Sequence, residues 1–152
     1  MASVFLGIND RNFIYSFVAG RSEFGGTGFR NPMDMALAPD DVMYVVNRSF
    51  ESRSDGTRIN VIRLGDDGEE YITEFGTYGT GDGQFIWPMS IAVDNEVNVY
   101  VSDEWLHRVN VYSRDGEYLR TWGTHGSGNG ELDRPSGIAI GADGTMFVVD
   151  SR

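Results

Sequence analysis

The sequence contains no cysteine among its 152 residues, so disulfide bonds and thiolate metal sites are both excluded. It has no apolar run approaching the roughly 18 residues of a membrane-spanning helix. The apolar N-terminal stretch is interrupted at Asn9–Arg11 and has no basic flank, which makes it a poor signal peptide. We therefore expect a soluble, cytoplasmic protein with no membrane partner.

Basic residues are also scarce, because 12 Lys and Arg oppose 23 Asp and Glu, for a formal net charge of −11. A field of this sign repels phosphate backbones, so we expect no nucleic-acid partner. It favours cations, basic peptides or neutral ligands, although we expect most of this charge to be solvated surface.

A helical hydrophobic period is missing throughout the chain. Glycine is abundant instead, with 20 Gly against 4 Pro. The glycines recur between short runs rich in β-branched and aromatic residues, a pattern typical of short strands joined by tight turns. The sequence thus predicts an all-β protein.

These short runs form a repeat. The clearest unit contains four of them, which are Ser90–Val93, Val97–Ser102, Arg108–Tyr112 and Tyr118–Trp122. The pattern begins again at Pro135, 47 residues after Pro88, and a looser copy begins at Pro32, 56 residues before Pro88. Most of the nine extra residues of the looser copy fall between Asn47 and Arg58. Four antiparallel strands in about 47 residues is the size of one β-propeller blade.

Four motifs of the second unit carry a family resemblance. They are the lead Gly79-Thr-Gly-Asp-Gly-Gln-Phe85, the run Pro88-Met-Ser-Ile-Ala-Val93, the strand Val99-Tyr-Val-Ser-Asp103, and His107-Arg-Val109. The chain resembles the NHL-repeat family in these motifs, which implies a β-propeller, often of six blades. The first unit departs from the pattern, because it has Asn47 where the others have Asp103 and Asp150 and lacks a matching His.

We predict a single domain over residues 1–152. Residues 1–23 supply the last two strands of a blade, 24–76 and 77–123 one blade each, and 124–152 the first two strands of a blade. Three blade equivalents are too few for a ring, since typical propellers have about four to eight. Two copies would complete a six-bladed ring as a homodimer, each split blade being shared between subunits. The alternative is that the chain is a piece of a longer protein.

The resemblance implies that the loops between second and third strands share one face with the loops between blades. Loops on a rigid scaffold usually carry function. We predict a ligand-binding face around the central opening that contains Phe50, Arg58, Trp87, Asp103, Trp105, His107 and Asp150, and we assign no metal ligand.

Several of these residues also have simpler roles. The segment from Asp103 through His107 to Val109 is similar to the zinc-binding segment of propeller lyases that amidate peptides. A catalytic zinc needs about three protein ligands, and this chain has only His107 and His125 unless carboxylates contribute. We favour loop packing for His107.

The recurrence of Asp or Asn at one blade position favours a structural bond to turn N–H groups over a calcium site. We expect Arg58 and Arg108 to pair with these acids.

The glycine-rich segments lack a following Lys-Ser/Thr, so they are not phosphate loops, and no nucleophile elbow or dinucleotide fingerprint is present. Two functions remain. The first is a non-catalytic propeller scaffold that binds a small ligand, peptide or protein without a cofactor. The alternative is a metal-assisted lyase or hydrolase of the six-bladed type, which would use zinc or calcium.

Overall fold

A computed structural model describes residues 6–8, 11–13, 18–20, 28–49, 54–66 and 68–151. Within these ranges the regular structure is almost entirely strand, apart from one 3-10 turn at Ser54–Gly56, which confirms the all-β prediction. No helix in the described part of the chain is long and apolar enough to cross a membrane. The strands are β1 (Leu6–Ile8), β2 (Arg11–Phe13), β3 (Pro32–Leu37), β4 (Val42–Asn47), β5 (Arg58–Gly65), β6 (Gly68–Phe75), β7 (Thr77–Tyr78), β8 (Gln84–Phe85), β9 (Pro88–Val93), β10 (Val99–Asp103), β11 (Arg108–Tyr112), β12 (Tyr118–Trp122), β13 (Pro135–Ile140) and β14 (Met146–Asp150).

The strands form two antiparallel four-stranded meanders, β3-β4-β5-β6 and β9-β10-β11-β12. They are followed by the hairpin β13-β14 and preceded by the hairpin β1-β2. Strand β9 lies against both β3 and β13, so the first strands of the three units run side by side. This is the arrangement of successive propeller blades.

The cores lie between the sheets and follow the two-residue period of the strands. Val99 and Val101 of β10 pack with Tyr44 of the first meander. Tyr100, on the opposite face of β10, packs towards β13 and β14 through Ile138 and other apolar side chains. Each sheet therefore buries both faces wherever a neighbour is present.

A repeated hydrogen bond ties the start of each unit to the end of its second strand. Asn47, Asp103 and Asp150 each lie opposite the proline that begins the unit, and a β-bulge follows that pair. Their side-chain oxygens accept the backbone N–H two residues before the proline, from Arg30 at 2.7 Å, Ile86 at 2.7 Å and Asp133 at 2.8 Å. The structural bond predicted from the recurrence of Asp and Asn is present in all three units.

The predicted pairing of arginines with these acids is wrong. Arg108 donates to the backbone carbonyls of Gly81 and Gln84, at 2.8 and 2.9 Å. Arg58 donates to the carbonyl of Gly28 at 2.9 Å, and its Nε lies 3.0 Å from a Glu74 oxygen. Backbone N–H groups already donate hydrogen bonds to these side-chain oxygens. The two guanidinium groups instead donate to backbone carbonyls of the loops between units.

A glycine closes each junction between units. Gly76 and Gly123 have φ values of +75° and +90°, and an added Cβ would lie 2.5 Å from Phe85 and 2.7 Å from Leu132 respectively. The chain then folds back on itself, so that β7 and β8 pair in parallel and His125 forms the corresponding bridge with Leu132. The sequence indicated only turns in these segments.

Both ends of the array carry exposed apolar side chains. Met35 and Leu37 on β3 are 65% and 57% exposed, and Phe147 and Val149 on β14 are each 62% exposed. In the described part of the chain, β14 pairs only with β13, and β1 pairs only with β2. The remaining residues of the predicted N-terminal strands Val4–Ile8 and Phe13–Phe17 lie outside the described residues.

Candidate ligand pocket and metal-binding cluster

A pocket of about 280 Å³ lies where the loops of the second unit meet the start of β13. Trp87 immediately precedes β9, the β10–β11 turn contributes three lining residues, and Arg134 immediately precedes β13. The lining residues are Trp87, Glu104, Trp105, His107 and Arg134. The structure thus brings together three of the predicted site residues, Trp87, Trp105 and His107.

Asp103 supports this pocket from beneath and does not line it. Its side chain is fully buried, and its Oδ1 accepts the backbone N–H groups of Trp105 and Leu106, each at 3.0 Å, and of Trp87 at 3.2 Å. His107 ends the turn in the left-handed conformation, with φ of +52°. One buried carboxylate therefore fixes the backbone that carries both tryptophans.

The two tryptophans form an edge-on pair with ring centroids 4.9 Å apart and an interplanar angle of 61°. The guanidinium carbon of Arg48 lies 4.3 Å from the centroid of the Trp87 ring, which holds that ring in a cation–π contact. Trp105 is 57% exposed. A ring held edge-on by its neighbour and open to solvent offers a flat apolar surface to a ligand.

Ion pairs surround the tryptophans. The carboxylate of Glu104, with 15% of its side chain exposed, forms one ion pair with Arg134 and another with Arg48, whose Nη1 lies 3.7 Å from Glu104 Oε2. Arg48 and Arg134 thus share this one carboxylate, and the Arg134 side chain, 42% exposed, also lines the pocket. Guanidinium groups in this setting suit a carboxylate or another anionic group of a ligand.

A cluster of potential metal ligands lies beside the pocket and shares His107 with it. The Oδ1 of Asp133 is 3.5 Å from His107 Nδ1 and 3.6 Å from His125 Nε2. The two imidazole centroids are 4.1 Å apart, and the three potential ligand atoms all lie within 4.8 Å of one another. Imidazole nitrogen and carboxylate oxygen are donors that zinc-class cations accept.

The other predicted site residues lie elsewhere. Arg58 is buried in the first unit, and its described contacts do not include the pocket lining. Asp150 accepts the backbone N–H of Asp133 and so supports the cluster from the end of β14. Phe50 lies outside the described residues.

Sequence reasoning missed three charged residues of the site. Arg48 and Glu104 directly follow the recurrent Asn47 and Asp103, and Arg134 directly precedes Pro135. They could have been found from the sequence, because they lie next to residues that recur in every unit and that border the loop face.

No family model and no curated protein matches this sequence. Solved structures do match its fold. A gluconolactonase from Xanthomonas campestris has a TM-score of 0.60 at 17% identity, covering 81% of this chain and 36% of that one. A luciferin-regenerating enzyme has a TM-score of 0.61 at 14% identity, and the match covers 98% of this chain and 44% of that one. A catalytically inactive virginiamycin B lyase from Staphylococcus aureus, solved with quinupristin, has a TM-score of 0.55 at 13% identity. The match covers 98% of this chain and 39% of that one.

This likeness identifies the fold as a β-propeller. The chain spans less than half the length of each of these three structures. At such identities the likeness extends to the fold alone.

Proposed function

We propose that this chain is a propeller scaffold of the NHL type that binds a small ligand in the pocket between Trp105 and Arg134. The ligand combines a flat apolar group with a carboxylate. The observation that carries this proposal is the half-exposed Trp105, held edge-on against Trp87 at the mouth of a pocket that also contains Arg134.

The size and chemistry of the pocket favour this class of ligand. Its volume of about 280 Å³ suits a compound with one or two rings. An aromatic group stacks on the exposed face of Trp105, and a carboxylate pairs with the Arg134 guanidinium.

The carboxylates around the pocket are engaged by the protein itself. Glu104 forms ion pairs with Arg48 and Arg134, and Asp103 accepts hydrogen bonds from backbone N–H groups. Both carboxylates therefore position the pocket, which supports a binding role.

Saturation-transfer NMR with benzoate, cinnamate and indole-3-acetate tests the proposal, with their neutral amides as comparison ligands. We expect signal transfer to the ring protons of the acids and weaker transfer to those of the amides. Trp105→Ala should abolish the transfer, while the control Tyr71→Ala, which removes another exposed ring from β6, should retain it. Transfer that is equal in both variants, or absent for all three acids, would contradict the proposal.

We further propose that two copies close a six-bladed ring as a homodimer. The exposed pairs Met35 with Leu37 and Phe147 with Val149 support this assembly, because ring closure would bury both. The outer edge of β14 supports it as well, because it pairs with no further strand among the described residues and an open edge favours such pairing.

A second candidate function is metal-assisted lyase or hydrolase chemistry. It is favoured by one observation, which is that His107 belongs both to the pocket and to the cluster with His125 and Asp133. An activity that is lost on chelation and restored by a divalent metal would favour this function over simple binding.

A further inference from the structure

We propose that His107, His125 and Asp133 form a binding site for one zinc-class divalent cation. The site goes beyond the binding of a ligand between Trp105 and Arg134, which requires no metal, and it uses the same cluster as the second candidate function.

The distances within the cluster fit a coordination sphere better than a hydrogen-bond network. Asp133 Oδ1 lies 3.5 Å from His107 Nδ1 and 3.6 Å from His125 Nε2, both too long for a good hydrogen bond. Around a tetrahedral zinc with ligand bonds of about 2.0–2.1 Å, neighbouring ligand atoms are separated by about 3.4 Å. A cation placed between the three donors would bring the ligand atoms, now within 4.8 Å of one another, closer together, and it would replace the N–H bond that His107 Nδ1 accepts.

The repeat itself does not require these three residues. His107 immediately precedes Arg108, His125 bridges to Leu132, and Asp133 lies two residues before Pro135. At the corresponding positions of the preceding unit the chain has Thr57, Tyr78 and Ile86, where Tyr78 pairs with Phe85 in the same parallel manner. That unit closes its junction without a potential ligand, so loop packing alone does not explain the cluster.

The backbone around the cluster is already ordered. Asp150 accepts the N–H of Asp133 at 2.8 and 3.0 Å, and the Arg134 N–H donates to His107 Nδ1 at 3.1 Å. This second bond requires that His107 Nδ1 carry no proton, which is the state that a metal ligand needs. A cation at Nδ1 competes with one backbone N–H for that lone pair.

The three side chains differ in freedom. Those of His107 and Asp133 are 23% and 18% exposed, whereas that of His125 is 67% exposed. Two ligands are thus held in place, and the third is free to close on the cation from the solvent side. His107 also lines the pocket, so a cation here lies next to the proposed ligand site.

Calorimetric titration of Zn²⁺ into tag-free, chelator-treated protein tests the site, with Co²⁺ absorption as a report on geometry. We expect one Zn²⁺ per chain and the intense visible bands of tetrahedral Co²⁺. His125→Tyr and His107→Thr introduce the residues of the preceding unit, and Asp133→Asn removes the charge at constant shape. Each should weaken Zn²⁺ binding by about tenfold or more. The control Asp82→Asn, in the corresponding glycine-rich loop one unit earlier, should bind as the parent does.

His125→Tyr decides the outcome if another variant fails to fold, because His125 is the most exposed of the three ligands. Its circular dichroism and urea midpoint should match those of the parent. Absent stoichiometric binding in the parent, or equal binding in parent and His125→Tyr, would overturn the proposal. Binding of benzoate measured in the presence of chelator separates failure of the metal site from failure of the ligand pocket.

Discussion

Replacing Asp103 should destabilise the chain more than replacing any exposed acid, because its buried carboxylate accepts four backbone N–H groups. Asp103→Ala leaves those N–H groups without their acceptor in the interior. Each lost bond to a charged acceptor is worth about 1.5–3 kcal/mol, and such losses are not additive when water enters. Breaking a buried charged network costs about 3–5 kcal/mol as a whole. We expect Asp103→Ala to lower the free energy of unfolding by about 4 kcal/mol.

Two further substitutions sharpen this prediction. Asp103→Asn retains the oxygen that accepts three of the N–H groups but turns an amide towards the N–H of Ile86, so we expect a loss of about 1–2 kcal/mol. Asn47→Asp should be more costly than Asp103→Asn. The Asn47 amide donates to the carbonyls of Val45 and Arg58 and to Asn60 Oδ1, and a carboxylate would face these three oxygens instead.

Urea unfolding followed by circular dichroism, at one fixed protein concentration, measures the series. A loss of less than about 1 kcal/mol for Asp103→Ala would contradict the structural role of this carboxylate, since ordinary surface changes stay within about 0.5 kcal/mol. Equal losses for Asp103→Asn and Asp103→Ala would contradict it as well.

Three further predictions concern other parts of the fold. Gly123→Ala should cost about 1–3 kcal/mol in urea unfolding, because it combines positive φ with a Cβ 2.7 Å from a buried leucine carbon. Gly130→Ala, with positive φ but no atom within 4 Å, should cost less, and equal losses would contradict this account. Burial raises the pKa of Asp94, but the hydrogen bonds that its carboxylate accepts in its turn outweigh burial and hold the pKa below the ordinary value of 3.8. The ionised Asp94 carboxylate therefore stabilises the fold at pH values above 3.8, and this stabilisation is lost as the pH falls through the lowered pKa. The difference in unfolding free energy between the parent and Asp94→Asn should shrink in acid. A difference that does not change with pH would contradict this. Sedimentation velocity should show the parent at twice the mass of one chain and the double variant Phe147→Ser with Val149→Ser as a monomer, whereas a compact parent monomer would contradict the proposed ring.

The repeat made the strands of the second unit predictable almost to the residue. The predicted runs Arg108–Tyr112 and Tyr118–Trp122 coincide with β11 and β12. The predicted strand from Val97 was too long, since β10 begins at Val99. Val97 has φ of +63° and donates to the Asp94 carbonyl in a turn, so local turn geometry overrides the β preference of valine.

The candidate site was only partly predictable. Trp87, Trp105 and His107 occupy repeat positions whose face follows from blade geometry, so the sequence identified them. The approach of His125 to Asp133 depends on a glycine-rich loop that folds back, with the Leu132 N–H donating to Thr124 at 2.8 Å. No local pattern encodes that return. The ion pair of Glu104 with Arg134 is not encoded by a local pattern either, because it joins two different units.

Binding of an aromatic carboxylate in the pocket between Trp105 and Arg134 can be followed at the indole N–H resonances of the protein. The chain has three tryptophans, of which Trp87 and Trp105 line the pocket while Trp122 packs in the core cluster between β10 and the β13-β14 hairpin. In a titration of ¹⁵N-labelled protein with cinnamate, we expect saturable shifts of the Trp105 and Trp87 signals and an unmoved Trp122 signal. Saturable binding that shifts Trp122 alone, or that leaves all three signals in place, would rule out this pocket as the binding site.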